Sequence, residues 1–188
     1  MPWFENLLAC FTHEQIPSAP APTPARELYK AAGCFFTDGR YFLAGYQPHK
    51  NRPRISGIGG GRKPSEIVIY TALRETIEEL FHIKYVSRSM IVEITKVISI
   101  GRLVENGPYS NLVLTFDDLA LIMQTLARLQ AVSPLFDTFP TTITELLFNR
   151  TVSADAEISH LALLPCVKGI VICHSLLRDI EMVVASSQ

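Results

Sequence analysis

The chain has little of what marks a zinc-bound, disulfide-stapled or membrane-spanning protein. Its four cysteines, Cys10, Cys34, Cys166 and Cys173, stand far apart and without CxxC spacing. Neither a zinc motif nor a disulfide framework follows, and reduced thiols in a cytoplasmic compartment are the expectation. No apolar run is long enough to cross a bilayer as a helix. No basic region precedes a long apolar run at the start, so a secretory signal is not expected either. The formal net charge is −1, which gives no global attraction to a polyanion and leaves any phosphate or nucleic-acid site to local clustering. Internal repeats are absent.

What is present is the composition of one ordinary globular domain: 188 residues, 48% hydrophobic and 19% charged, enough to bury a substantial core. Trp3, Phe4, Leu7, Leu8 and Phe11 form one apolar face if the first residues are helical. The segment lacks a basic face, so docking on its own domain or on a partner subunit is favoured over a membrane surface. Pro17-Ser18-Ala19-Pro20-Ala21-Pro22-Thr23-Pro24 reads as an extended, semi-rigid linker. Residues 1–25 are therefore an arm and linker, and the folded domain is expected over 26–188. Lys30 to Phe36 and Tyr41 to Tyr46 read as strands around Thr37-Asp38-Gly39-Arg40, a hairpin signal.

Between Gln47 and Lys63 lies the densest basic segment, with His49, Lys50, Arg52, Arg54, Arg62 and Lys63. Such a loop is often simply solvated. This one runs into Gly57, Gly59, Gly60 and Gly61, where the backbone can turn tightly and approach a ligand, and its cations suit phosphate oxygens. Arg54, Arg62 and Lys63 are the phosphate candidates.

The next stretch organises the chain. Arg74-Glu75-Thr76-Ile77-Glu78-Glu79 sits inside a helical pattern in which Ile69, Ala72, Leu73 and Leu80 face the core. Glu75, Glu78 and Glu79 project from one face, and like charges that close repel. A hard divalent cation with oxygen ligands offsets that repulsion. Ser65, after Pro64, is the expected N-cap.

The wider spacing, Gly60, five residues, Glu66, seven residues, Arg74-Glu75, two residues, Glu78-Glu79, resembles the Nudix box of the Nudix hydrolase superfamily. The resemblance implies an α/β Nudix fold, a mixed β-sheet sandwiched between helices. It also implies Mg²⁺ or Mn²⁺, with Glu75 and Glu79 as principal ligands and Glu78 as a further ligand or a base acting through water. A backbone carbonyl of the paired glycines maps to Gly59, beside Gly60. Glu66 and Arg74 would form the supporting pair. The box departs from the family at its end. Thr76 replaces an aliphatic residue, its hydroxyl expected to bond back one turn. Phe81 and His82 stand where Gly and an aliphatic residue are usual, and Ile58 replaces a Pro. Phe81 enters a left-handed turn less cheaply than Gly, so the helix exit should be rebuilt.

Beyond the box, Met90 to Ile100 and Asn111 to Phe116 read as strands joined by the turn Glu105-Asn106-Gly107-Pro108. Asp117 or Asp118 should cap a helix carrying Leu119, Ile122, Met123 and Leu126. Thr142 and Glu145 form a capping box for a short helix. Together these make a helical insertion larger than a minimal Nudix domain needs. Glu157 to Leu164 reads as a late strand before Pro165. Gly169 to Val184, with Cys173, Leu176, Leu177 and Ile180 at helical spacing, suits a helix over the sheet. For an acidic ligand outside the box, Glu157 is the first candidate and Asp155 the second, while a lone His such as His160 is more often structural.

The resemblance implies a hydrolase cleaving a diphosphate linkage in a nucleotide-containing substrate. The basic loop and altered box end are weakly similar to viral mRNA-decapping members, which makes capped RNA one substrate class. Tyr41, Tyr46, Tyr109 and Phe116 are candidates to stack on a base, with core or hairpin packing the favoured reading of each. The rival reading is a catalytically silent Nudix fold used for binding or assembly. In it, the arm or the insertion would provide homo-oligomer contacts.

Overall fold

The computed structural model describes residues 29–48, 54–167 and 174–185. The arm and linker, His49, Lys50, Arg52, Cys10 and the start of the last helical pattern, including Cys173, lie outside them. In order the elements are β1 (Ala31–Phe36), β2 (Tyr41–Gln47), β3 (Arg54–Ser56), β4 (Ile58–Gly61), α1 (Val68–Phe81) and α2 (Arg88–Thr95). There follow β5 (Leu103–Asn106), β6 (Tyr109–Leu114), α3 (Phe116–Arg128), α4 (Ile143–Phe148), β7 (His160–Pro165) and α5 (His174–Ala185). The fold is α/β, as expected.

The strands form two sheets. One is mixed, in the order β4-β1-β6-β5, with β1 and β6 parallel; the other is antiparallel, in the order β3-β2-β7. The division begins at the predicted hairpin. Its turn forms, with Asp38 accepting from the Arg40 and Tyr41 amides and Gly39 at φ 85°. Past the single bridge between Thr37 and Phe42, however, β1 and β2 separate into different sheets. Both strands are buried on two faces, a pattern that neither strand of a one-sided hairpin would carry.

The alternation along β1 fills two cores. Ala32, Cys34 and Phe36 join α1, α2 and α3 in the larger one, with Leu73, Ile77, Ile94, Leu119 and Ile122. Phe35 turns the other way, with Phe42, Ala44 and Val104, against Leu176, Ile180 and Val183 of α5. Helices thus cover both faces.

Met90 to Ile100 is not a strand. Its apolar residues are β-branched, but Ile91, Ile94 and Ile98 recur at helical spacing and are buried. Ser87 caps α2 by accepting from the Met90 amide at 3.2 Å, and contact with the larger core overrides strand propensity. The partner of β6 is β5, across the predicted turn. Thr115, rather than either aspartate, is the N-cap of α3, and Asp118 closes its capping box. The capping box of Thr142 and Glu145 forms. The late strand starts at His160 and includes Pro165, which is tolerated because β7, paired with β2, is an edge strand among the described residues.

Candidate functional site

Helix α1 starts later than Ser65. Lys63 to Glu66 make a turn in which Ser65 is left-handed, at φ 65°, and the N-cap is Ile67, without a side-chain cap. The turn brings Glu66 back toward the helix, where its carboxylate accepts from the Lys63 amide at 2.9 Å and the Thr71 hydroxyl at 2.8 Å.

Arg74, 3% exposed, uses all five of its N–H groups. Nε and Nη2 grip Glu66 at 2.7 and 2.9 Å, and Nη2 also donates to the Gly61 carbonyl at 2.8 Å. Nη1 donates to Glu75 at 2.7 Å and to Glu78 at 2.8 Å. The expected Glu66–Arg74 pair therefore forms, and it extends into the acidic face. Burial pushes Glu66 upward, yet the bonds from Arg74, Lys63 and Thr71 outweigh it and hold its carboxyl below the usual range. For Glu75 burial dominates, and its pKa is raised despite Arg74.

Strand β4 supplies the opposing wall. The Gly59 amide donates to Glu79 at 2.7 Å. Gly59 has φ 151°, and a Cβ there would collide with Gly33 and the Tyr109 hydroxyl. A side chain at Gly60 would displace the Glu75 carboxylate. Two adjoining cavities share Glu75 and Glu157. One, of about 370 Å³, is lined by Lys63, Glu75, Glu78, Glu79, His82, Asp155 and Glu157. The other, of about 680 Å³, extends past Gly59, Gly60, Gly61, Gln47 and Arg54 toward α5.

The predicted residues gather unequally. Glu75, Glu78, Glu79, Glu157 and Asp155 face one space, and Glu157 accepts from Gln47 at 3.2 Å. Lys63 reaches Glu78 at 3.1 Å, and Arg54 lines the larger cleft. Arg62 lines neither cavity: its Nε donates to the Glu66 carbonyl and its guanidinium lies over the Tyr29 ring. His160 is exposed and bonds Ser159. Of the aromatic candidates, Tyr109 lines the larger cleft. Thr76 is buried, but its hydroxyl makes no bond to the preceding turn and has no hydrogen-bond partner. It faces the Cys34 thiol without a well-formed bond and only partly offsets the burial that pushes that thiol up to about 12.

By donor type this set fits a hard cation. Arg74 and Lys63 pair with Glu66, Glu75 and Glu78, while Glu79, Asp155 and Glu157 line the same cavity with Lys84 as a further cation, so that carboxylates outnumber cations there. In the arrangement as it stands, no three His, Cys, Asp or Glu among the described residues converge closely enough to hold a metal ion. Glu78 is engaged by Lys63 and Arg74, and Glu79 by Gly59.

The altered box end is rebuilt from the insertion. Phe81 stays helical and fully buried, stacked on Phe139 with ring centroids 5.0 Å apart, and the left-handed turn falls one place later, at His82 with φ 52°. Ser133 donates to the Phe81 carbonyl at 2.6 Å, and Arg150 donates to the Leu80, Glu79 and Ile158 carbonyls. Neither residue was legible as part of the site. Also missed were Asn106 and Asp179; the latter's signal was a carboxylate on the apolar stripe of α5.

No family model matches the sequence, and no curated protein is similar to it by sequence. The structure is similar to a bifunctional NMN adenylyltransferase/ADP ribose pyrophosphatase from Francisella tularensis complexed with AMP and a Mn ion. The identity is 9% and the TM-score 0.48, over 88% of this chain and 44% of that one. It is also similar to a C. elegans Ap4A hydrolase in a binary complex, at 16% identity and TM-score 0.41 over 85% and 99% of the two chains. A NUDIX hydrolase from Nitrosomonas europaea gives 13% and 0.41 over 86% and 92%. This chain spans less than half the length of the bifunctional protein. At such TM-scores these likenesses decide neither substrate nor chemistry. The chain resembles the Nudix hydrolases in the spacing from Gly60 to Glu79 and in the Glu66–Arg74 pair, and a NUDIX hydrolase is among the solved structures similar to it.

Proposed function

We propose that this chain is a Nudix-type pyrophosphohydrolase, dependent on Mg²⁺ or Mn²⁺, that cleaves a diphosphate linkage in a nucleotide-containing substrate, capped RNA ends being one class. The observation that carries the reading is the Arg74 clamp. It orients Glu75 and Glu78 toward the cavity that Glu79 and Glu157 also line. Glu75, Glu78, Glu79, Glu157 and the Gly59 carbonyl are the groups that would hold the cation. When bound, it would activate water and neutralise phosphate oxygens. Arg74 fixes the rotamers of its two neighbours, while Lys63 and Arg54 offer positive charge to the phosphates at either side of Glu75. Glu78 must release Lys63 before it can serve as a ligand or as a base.

The rival reading, a silent binding module, has one observation in its favour: no three carboxylates stand ready to hold an ion among the described residues. Turnover of a panel of nucleoside polyphosphates, nucleotide sugars and capped RNA, with Mg²⁺ or Mn²⁺, separates the two. The hydrolase reading expects turnover in the wild type and its loss by several orders of magnitude in Glu79→Gln, with the fold intact. It also expects a metal-dependent rise in melting temperature, equivalent to about 2.7 kcal/mol at a hundredfold excess over Kd. An inert wild type that shows no such rise rejects the hydrolase.

A further inference from the structure

The larger cleft continues beyond the box, and nothing in the hydrolase reading uses its far end. There it is lined by Ser56, Asn106, Tyr109, Leu176, Arg178 and Asp179. Asp179 is 7% exposed, on the stripe where Leu176, Ile180 and Val183 pack. No cation pairs with it among the described residues. Among the described residues its one hydrogen bond of good geometry comes from Asn106 Nδ2, at 2.9 Å, and a carboxylate can accept about four. Burial raises its pKa, and the amides of Asn106 and Asn111 offset that only in part. A buried carboxylate with no cation is expensive, so its retention asks for a reason.

Two further buried polar groups point the same way. Ser56 Oγ, on the cleft wall in a residue 7% exposed, has no hydrogen-bond partner. Asn111, 4% exposed, turns its amide toward Asp179 without completing a well-formed bond among the described residues. Native interiors leave few such groups unpaired. Tyr109 links this end of the cleft to the other: its backbone pairs with Asn106, and its hydroxyl lies against Gly59.

We propose that the far end of the cleft is a pocket for the base of a guanine nucleotide, in which Asp179 accepts from the ring N–H and the exocyclic amine. The assignment follows from donor pattern. Two adjacent donors on the pairing edge suit the two oxygens of one carboxylate, and among the common bases only guanine offers them. Adenine and cytosine each place an acceptor beside the amine. The cleft's volume, about 680 Å³, is in the range of small-ligand sites, and Leu176 against the Gly57 backbone provides a narrow apolar wall for a planar ring. The polarity of the bound nucleotide, with phosphates toward Glu75, rests on the hydrolase reading; the base pocket does not.

Nucleoside monophosphates test the pocket without a diphosphate to cleave. By calorimetry on the full chain, GMP should bind about tenfold or more tighter than AMP, with IMP, which keeps the ring N–H but lacks the amine, between them. Asp179→Asn should erase the GMP advantage while changing AMP affinity less than about threefold, and Ser56→Ala should weaken GMP by roughly two- to fivefold. GMP and AMP binding alike, GMP preference persisting in Asp179→Asn, or no binding by any of the three at millimolar concentration overturns the proposal. Should Asp179→Asn fail to fold, the ranking of the three nucleotides by the wild type decides. Base preference without turnover keeps the pocket and removes the hydrolase; turnover without base preference does the reverse.

Discussion

Arg74 shows how one side chain can serve both fold and site. Its guanidinium is buried among Glu66, Glu75 and Glu78 and bonded to the Gly61 carbonyl, so its planar fork, and not merely its charge, is what the place requires. Lysine would bring one tetrahedral ammonium with three donors. Arg74→Lys is expected to lower stability by about 3 kcal/mol, read as a shift in urea midpoint at unchanged slope. Glu66 adds a pH signature. Its folded pKa lies below its unfolded value, so the stabilisation is fully present above the ordinary glutamate range and is lost as pH falls through the folded pKa. Glu66→Gln should therefore be clearly less stable than the wild type at neutral pH, and the two stability curves should converge in acid, below the ordinary glutamate range. Parallel curves across that range would show that Glu66 contributes packing alone. The Glu66–Arg74 pair was legible through the resemblance to the Nudix box, which keeps these two residues at this spacing. Asp179 was not legible because the apolar periodicity of Leu176, Ile180 and Val183 marks its stripe as core, and nothing local shows that the same stripe borders a cleft.

At the scale of elements, the exit of α1 is the clearest case of local sequence stating a problem whose solution lies elsewhere. Phe81 and His82 announce that a glycine turn is absent. What they do not announce is that Ser133, 52 residues on, and Arg150, 70 residues beyond Leu80, cap the open carbonyls. Ser133→Ala should cost about 1–2 kcal/mol by leaving the Phe81 carbonyl buried and unbonded. Restoring the family residue should not help: Phe81→Gly removes a ring stacked on Phe139 and should cost about 3–5 kcal/mol. His82→Gly, at the position that is left-handed, should gain about 1 kcal/mol. Thermal or urea unfolding of the three variants checks all the signs, and stabilisation by Phe81→Gly would show that the turn belongs one residue earlier. The same limit explains α2. β-branched residues favour a strand in isolation, and the Ser87 cap with Ile91, Ile94 and Ile98 on one face outweighs them once the larger core is present.

For the whole molecule, the consequential event is the parting of β1 and β2 after one bridge. It divides seven strands into two sheets and the interior into two cores, and the larger cleft draws its lining from β2, β3, β4, the β5–β6 turn and α5. Turn chemistry at Asp38 and Gly39 was readable, but the divergence was not, because it depends on which partners bury the second face of each strand. Helix α5 then has two tasks, closing the smaller core and walling the cleft, and Leu176 belongs to both. Leu119 is equally buried but lies in the larger core, away from the cleft. Leu176→Ala and Leu119→Ala should each cost about 2–5 kcal/mol. Measured where both variants remain folded, only Leu176→Ala should also weaken nucleotide binding, because it removes a ligand-facing wall as well as a core contact. Equal loss of binding in both would mean that the cleft responds to global stability, and α5 would then be a cover for the core and no part of the site.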